Sequence, residues 1–165
     1  MRLHAFKYPQ RQQGLAIVEF TLFLPVLLLM LLAFGEFGRM LYQYNVLLQA
    51  SRDASRFVAS QAWNSTLGAA IVPSGSTLET QTKKVAVYGV PANGTAVVSG
   101  LTTNMVTVSV LGADPAHPDH VRVTITYNFC PVIGGGNCDG AIPGFFGSQI
   151  ALGIPLVATT VMRAL

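Results

Sequence analysis

The chain has 165 residues, 51% of them hydrophobic and 10% charged, with a formal net charge of +3. Soluble domains carry about 25% charged residues, so the deficit argues against disorder, a charged nucleic-acid surface and an ordinary cytosolic enzyme. The excess charge sits at one end, because Arg2, Lys7 and Arg11 fall in the first fourteen residues without an acid, and seven basic residues balance seven acidic ones from Leu15 onward. That distribution leaves no basic face for nucleic acid.

Residues 1–14 read as a basic leader. From Leu15 to Phe34 the sequence is LAIVEFTLFLPVLLLMLLAF, twenty residues with one charge, Glu19. At about 1.5 Å per residue such a helix spans roughly 30 Å, the hydrocarbon thickness of a bilayer. We therefore expect a membrane helix over 15–35, with Gly35, Glu36, Gly38 and Arg39 at its far interface. Positive charge on the near flank orients the tail to the cytoplasm and everything beyond Gly35 outside, giving a single-pass protein of the cytoplasmic membrane. A secretory signal peptide is the competing reading. Ala33-Phe34-Gly35 offers it a small-x-small site, but the apolar stretch before that site is too long. Pro25 removes one backbone hydrogen bond, to the Thr21 carbonyl, which membrane helices tolerate with a mild kink.

Glu19 is what a plain membrane anchor does not explain. An unpaired carboxylate inside a bilayer segment costs a few kcal/mol, so it either snorkels to the headgroups or has a partner. Gly14 closes the basic tail, the apolar run begins at Leu15, and Glu19-Phe20 follows. Gly14–Ser60 resembles the TadE-like pseudopilins of the tight-adherence (Flp-type IVb) pilus machinery. The resemblance rests on the Gly14…Glu19-Phe20 junction, the proline-bearing apolar helix, Gly-Glu-Phe-Gly-Arg at 35–39, and the Ala/Ser/Arg-rich stretch Ala50–Arg56. The end of the chain, Leu156–Arg163, is also similar to the end of that family. The resemblance implies cleavage after Gly14 by a prepilin peptidase and a new α-amino group at Leu15. It further implies a structural role in bacterial pilus biogenesis, with other pilin-like subunits and the pilus assembly machinery as partners. In a bundle of such helices, Glu19 of one subunit could neutralise the Leu15 ammonium of its neighbour, removing the burial penalty of both charges.

Beyond the membrane the helix is expected to continue to about Gln61, as an amphipathic segment over 36–62. Met40, Tyr44, Leu47, Ser51, Ala54 and Val58 recur at three- and four-residue steps, opposite Asn45, Gln49, Arg52, Asp53, Arg56 and Ser60. Small residues at Ala50, Ser51, Ala54, Ser55 and Ala59 allow close approach to a sheet or another helix. Arg52 and Arg56 read either as a solvated face or as a subunit contact. Residues 63–165 read as a small extracytoplasmic β-rich domain. It opens with a Ser/Thr/Gly-rich surface connection from Trp63 to Thr82. Strands are predicted at Val85–Val90, Met105–Leu111, Val121–Phe129 and Ile154–Arg163, the second and third forming an antiparallel hairpin whose Val and Ile residues face the helix. The fold class is α+β: a long N-terminal helix, membrane-spanning in its first half, packed on a small antiparallel sheet.

Cys130 and Cys138 enclose a glycine-rich loop placed outside the membrane, where oxidising conditions favour a disulfide; two free thiols are the alternative. His117, Asp119, His120 and Asp114 form the one His/Asp cluster, in a proline-bearing turn that reads as a solvated loop rather than a metal site. Gly134–Gly136 lacks the Lys-Ser/Thr of a phosphate loop, and no hydrolase or zinc-protease motif occurs. No catalytic residue, metal ligand or cofactor is therefore assigned. The leading reading is a pseudopilin-like component of pilus assembly and adherence. The alternative is a signal-anchored envelope protein whose outer domain binds a ligand or partner.

Overall fold

The computed structural model describes residues 13–132, 141–143, 149–151 and 153–165. Most of the basic leader, Gly134–Gly136 and Cys138 lie outside the described residues. The chain divides into two units, the first ending at Phe37 and the second running from Gly38 to Leu165.

The first unit is helical. Helix α1, Gln13–Ala59, begins there and carries Pro25 within it. Every described residue from Ala16 to Gly35 is exposed. Its most apolar 18-residue window has a mean hydropathy of 2.5, with none of it buried inside the chain, so α1 is long and apolar enough to cross a membrane. A predominantly apolar surface of this kind marks a lipid or protein contact.

In the second unit α1 becomes amphipathic and takes up the expected phase. Leu47, Ser51, Ala54, Ser55 and Val58 are fully buried, whereas Asn45, Gln49, Arg52, Asp53, Arg56 and Ser60 are exposed. Chain order then gives β1 (Trp63–Asn64), β2 (Ala69–Ala70), α2 (Thr77–Tyr88), a 3-10 turn (Thr103–Met105), β3 (Val106–Leu111), β4 (His120–Phe129), β5 (Ala141–Pro143), β6 (Gln149–Ala151) and β7 (Ile154–Arg163). The main sheet has order β3-β4-β7, with short β1-β2 and β5-β6 ladders beside it. All three ladders are antiparallel; in the main sheet Val123 lies between Val108 and Thr160, and Ile125 between Val106 and Ala158. One long apolar helix packed on small antiparallel sheets is the α+β arrangement expected.

Period-two alternation on β4 explains which face is covered. Val121, Val123 and Ile125 are fully buried, with Tyr127 and Phe129 nearly so, while Arg122, Thr126 and Asn128 between them are exposed. The small-residue face of α1 meets β7 closely enough for direct hydrogen bonds. Ser51 Oγ lies 2.7 Å from Thr160 Oγ1, and Ser55 Oγ donates to the Thr160 carbonyl at 3.4 Å. The Leu165 N–H donates to the Ala59 carbonyl at 3.0 Å, satisfying one of the acceptors that a helix C-terminus leaves open.

Two expectations are corrected. Val85–Val90 is not a strand, because Val85 to Tyr88 form the last turn of α2. The caps decide it. Ser76 Oγ accepts from the Glu79 N–H at 3.2 Å, and Glu79 Oε2 accepts from the Gly75 N–H at 2.6 Å. Glu79 also pairs with Lys83 one turn on, at 2.7 Å. Gly89 ends the helix at φ 75°, its N–H returning to the Val85 carbonyl. These local bonds outweigh the β preference of two valines, and the same valines then supply the buried face of α2. The Trp63–Thr82 stretch is likewise more ordered than a surface connection. It contains the β1-β2 ladder, closed by Asn64 Oδ1 accepting from the Thr66 and Leu67 N–H groups, and then the first half of α2.

Candidate functional site

The residues singled out for processing and assembly lie at the start of α1. Gly14 and Leu15 have helical backbone in its first turn. Glu19 follows four residues after Leu15, so one helical turn separates the acid from the position of a processed amino terminus. Glu19 is exposed, and among the described residues no cation pairs with it. Phe20 beside it is 60% exposed. The polar groups that follow are handled locally. Thr21 Oγ1 donates to the Ile17 carbonyl at 2.8 Å, while Pro25 has no N–H to offer the Thr21 carbonyl. Within the first unit, then, an apolar surface carries one carboxylate near the helix start that the described residues leave without a counter-charge.

The second unit holds the remaining candidates. The Arg39 guanidinium donates to the Cys130 carbonyl and lies 4.8 Å from the centroid of the Phe129 ring, tying the unit's first helical turn to the end of β4. This contact was missed in the sequence, where Arg39 reads as an interface charge; the alternation of β4 ending on a buried aromatic was the available signal. Nearby, Tyr127 Oη donates to the Ser99 carbonyl at 2.9 Å, and burial pushes the phenol up from its ordinary pKa. Gln43, Tyr127, Met105, Asn128 and Arg39 line a cleft of about 440 Å³ there.

The His/Asp cluster resolves into two separate pairs, Asp114–His117 exposed and Asp119–His120 half-buried. His117 Nδ1 lies 3.0 Å from Asp114 Oδ2, and His120 Nδ1 lies 2.7 Å from Asp119 Oδ1. Hydrogen bonds from those histidines hold both carboxyls below the usual carboxylate range. Among the described residues no group of three or more His, Cys, Asp or Glu is placed to hold a metal ion. Cys130 follows the end of β4 directly; its proposed partner Cys138 lies outside the described residues.

Comparison with protein families converges on the same stretch of helix. Residues 14–56 match the model of the TadE-like protein family. The N-terminal region is TadE-like. The match begins at Gly14, includes Glu19 and Phe20, and runs from the exposed apolar half of α1 into the half buried against the sheet. No curated protein and no solved structure matches the chain significantly.

Proposed function

We propose that this chain is a pseudopilin-like component of tight-adherence (Flp, type IVb) pilus assembly, cleaved after Gly14 and acting structurally rather than catalytically. In this reading residues 1–14 are a leader removed by a prepilin peptidase. Residues 15–35 anchor the chain in the bacterial cytoplasmic membrane, and the domain from Gly38 onward works outside it. The observation that carries the proposal is the TadE-like match opening at Gly14, five residues before Glu19. Cleavage would leave a positive group at Leu15 beside that acid. In a bundle of processed helices, Glu19 of one subunit then meets the Leu15 ammonium of another, and each offsets the desolvation cost of the other. Cys130 and Cys138 form a disulfide in the outer loop, in keeping with an oxidising compartment.

The N-terminus of the mature protein tests the reading. Co-expression with a prepilin peptidase, followed by an intact-mass measurement, is expected to give a chain beginning at Leu15. A chain that keeps Met1 would overturn the proposal and favour the signal-anchored envelope protein, for which the cleft between Arg39 and Tyr127 is the ligand site to examine.

A further inference from the structure

We infer that the cleft between Arg39 and Tyr127 is a lipid-headgroup site. It holds a phosphatidylethanolamine with its phosphate against the Arg39 guanidinium and its ammonium against Gln43 Oε1. The inference rests on residues 15–35 being the membrane anchor proposed above, and not on cleavage after Gly14.

An unanswered acceptor comes first. Gln43 Oε1 is buried, and among the described residues it has no hydrogen-bond partner. A buried carbonyl without a donor bears the full cost of the water it has lost. A ligand that brings an N–H to it therefore gains more than the same contact would give at the surface. The phenol nearby does not serve, because Tyr127 Oη donates to the Ser99 carbonyl.

Charge narrows the ligand. Arg39 and Gln43 lie four residues apart on α1 and so share a face, and both line the cleft with Ser99, Met105, Tyr127 and Asn128. Among the described lining residues Arg39 carries the one formal charge, on a planar fork that matches a phosphate. Glu36 precedes it by three residues, so this turn of α1 is formally neutral. A neutral turn suits a zwitterion better than a headgroup of net negative charge.

Depth names the source as a lipid. With residues 15–35 in hydrocarbon, Arg39 falls about 6 Å and Gln43 about 12 Å beyond Gly35 along the helix. The headgroup layer takes up roughly the first 5–8 Å beyond the hydrocarbon. Side chains on a helix lean toward its N-terminus, here the membrane end, which carries both polar groups toward the phosphates. Leu41 and Tyr42 between them are exposed, and an exposed tyrosine is a residue that settles at a membrane interface.

Native mass spectrometry of the full chain in detergent tests this, with phosphatidylethanolamine or phosphatidylcholine of the same acyl chains added. The two lipids share the phosphate and the net charge, but choline has no N–H to give Gln43. Phosphatidylethanolamine is expected to be retained about tenfold more than phosphatidylcholine. Gln43→Leu is expected to equalise the two, and Gln43→Glu, which keeps the acceptor, to restore the preference. Equal retention by the wild type, or a preference that survives Gln43→Leu, would overturn the inference. Glycerophosphoethanolamine, the same headgroup without chains, is expected to be lost; retention equal to the lipid's would overturn a lipid as the source. The unfolding midpoint of Gln43→Leu is expected to hold or rise, since the change removes an unanswered acceptor. A lower midpoint accompanying the lost preference would return Gln43 to a folding role and overturn the site. Carbonate extraction of membranes from expressing cells reports the anchor separately. A chain that leaves the membrane yet selects phosphatidylethanolamine would defeat the anchor and leave the cleft standing; a chain that stays without selecting would do the reverse.

Discussion

The two halves of α1 are covalently one helix and physically two different objects. From Ala16 to Gly35 the helix is apolar all round and buries nothing within the chain. From Gly38 to Ala59 it alternates, with one face fully buried against the sheet and the other carrying Arg52, Asp53 and Arg56. A helix that is hydrophobic on every side needs a solvent of hydrocarbon or other helices, whereas one that is hydrophobic on one side needs a single wall to lean on. The comparison teaches that length and helicity say little about role here; the period of the apolar residues assigns each half its environment. It also isolates Glu19, which would be unremarkable among the charges of the second half and is costly in the first.

The largest effect we expect tests that isolation. Glu19→Gln keeps the shape and some hydrogen bonding of the acid but, under the proposed pairing, would leave the neighbouring Leu15 ammonium without its counter-charge. Breaking a buried pair in this way costs about 3–5 kcal/mol, enough to abolish a weak helix contact. Membrane insertion should persist, since the apolar segment loses its one charge. The expected outcome in a complementation assay is a protein that inserts and is cleaved, in cells without pili. Normal piliation would show that Glu19 only snorkels to the headgroups.

A paired truncation sharpens the contrast between the halves. Leu47 is fully buried, whereas Leu29 is 67% exposed. Leu47→Ala should destabilise the second unit by about 2–5 kcal/mol, the cost of a lost core side chain plus its cavity. Leu29→Ala should leave the unfolding of that unit unchanged. Denaturant titration of both variants in detergent, followed by near-ultraviolet circular dichroism, measures the difference. Similar midpoints would mean that the α1–sheet contact is not a main support of the outer domain.

How far the sequence revealed this molecule follows the same division. Where burial is one-sided, periodicity is unambiguous: the helix face from Leu47 to Val58 and the strands at 106–111, 120–129 and 154–163 appear where alternation puts them. The β7 segment was legible despite Pro155, because the proline sits near the start of a strand on the sheet's edge. Helix α2 was not legible from hydrophobicity, since Val85-Ala-Val-Tyr reads equally as strand. Its signature was chemical rather than periodic, in Ser76 three residues before Glu79 and Gly89 after the last turn. For the candidate site, the sequence supplied the spacing from Gly14 to Glu19 and the structure added exposure. The contact of Arg39 with Cys130 and Phe129 joins residues about ninety apart in the chain, a pairing that local pattern cannot show.

That lesson about α2 yields a smaller prediction. If Ser76 decides the helix start, Ser76→Ala should cost about 0.5–2 kcal/mol, read as a lower unfolding midpoint of the second unit. Ser60→Ala makes a suitable control, because Ser60 Oγ donates to the Phe57 carbonyl at 2.9 Å but caps no helix N-terminus. Equal effects from the two would remove the argument that capping overrides the strand pattern.

The smallest effect concerns acid. The Lys83 ammonium, and after it the Gly75 N–H, hold the Glu79 carboxyl below its ordinary pKa. A carboxyl whose folded pKa is depressed adds stability that is present above its unfolded pKa and is lost as pH falls through the folded value. The second unit should therefore be steady near neutrality and weaken as the pH drops below the ordinary carboxylate range. The pair is only partly shielded, with Lys83 29% exposed, so its share is a few tenths of a kcal/mol, as for other helix pairs at this spacing. Glu79→Gln should lower stability slightly at pH 7 and flatten part of the acid slope. The paired carboxyls of Asp114 and Asp119 are lowered in the same sense and add to the acid slope in the same direction. Thermal melts of wild type and Glu79→Gln between pH 7 and pH 3 measure the difference, and parallel curves over that range would mean that Glu79 places the helix start without adding charge-dependent stability.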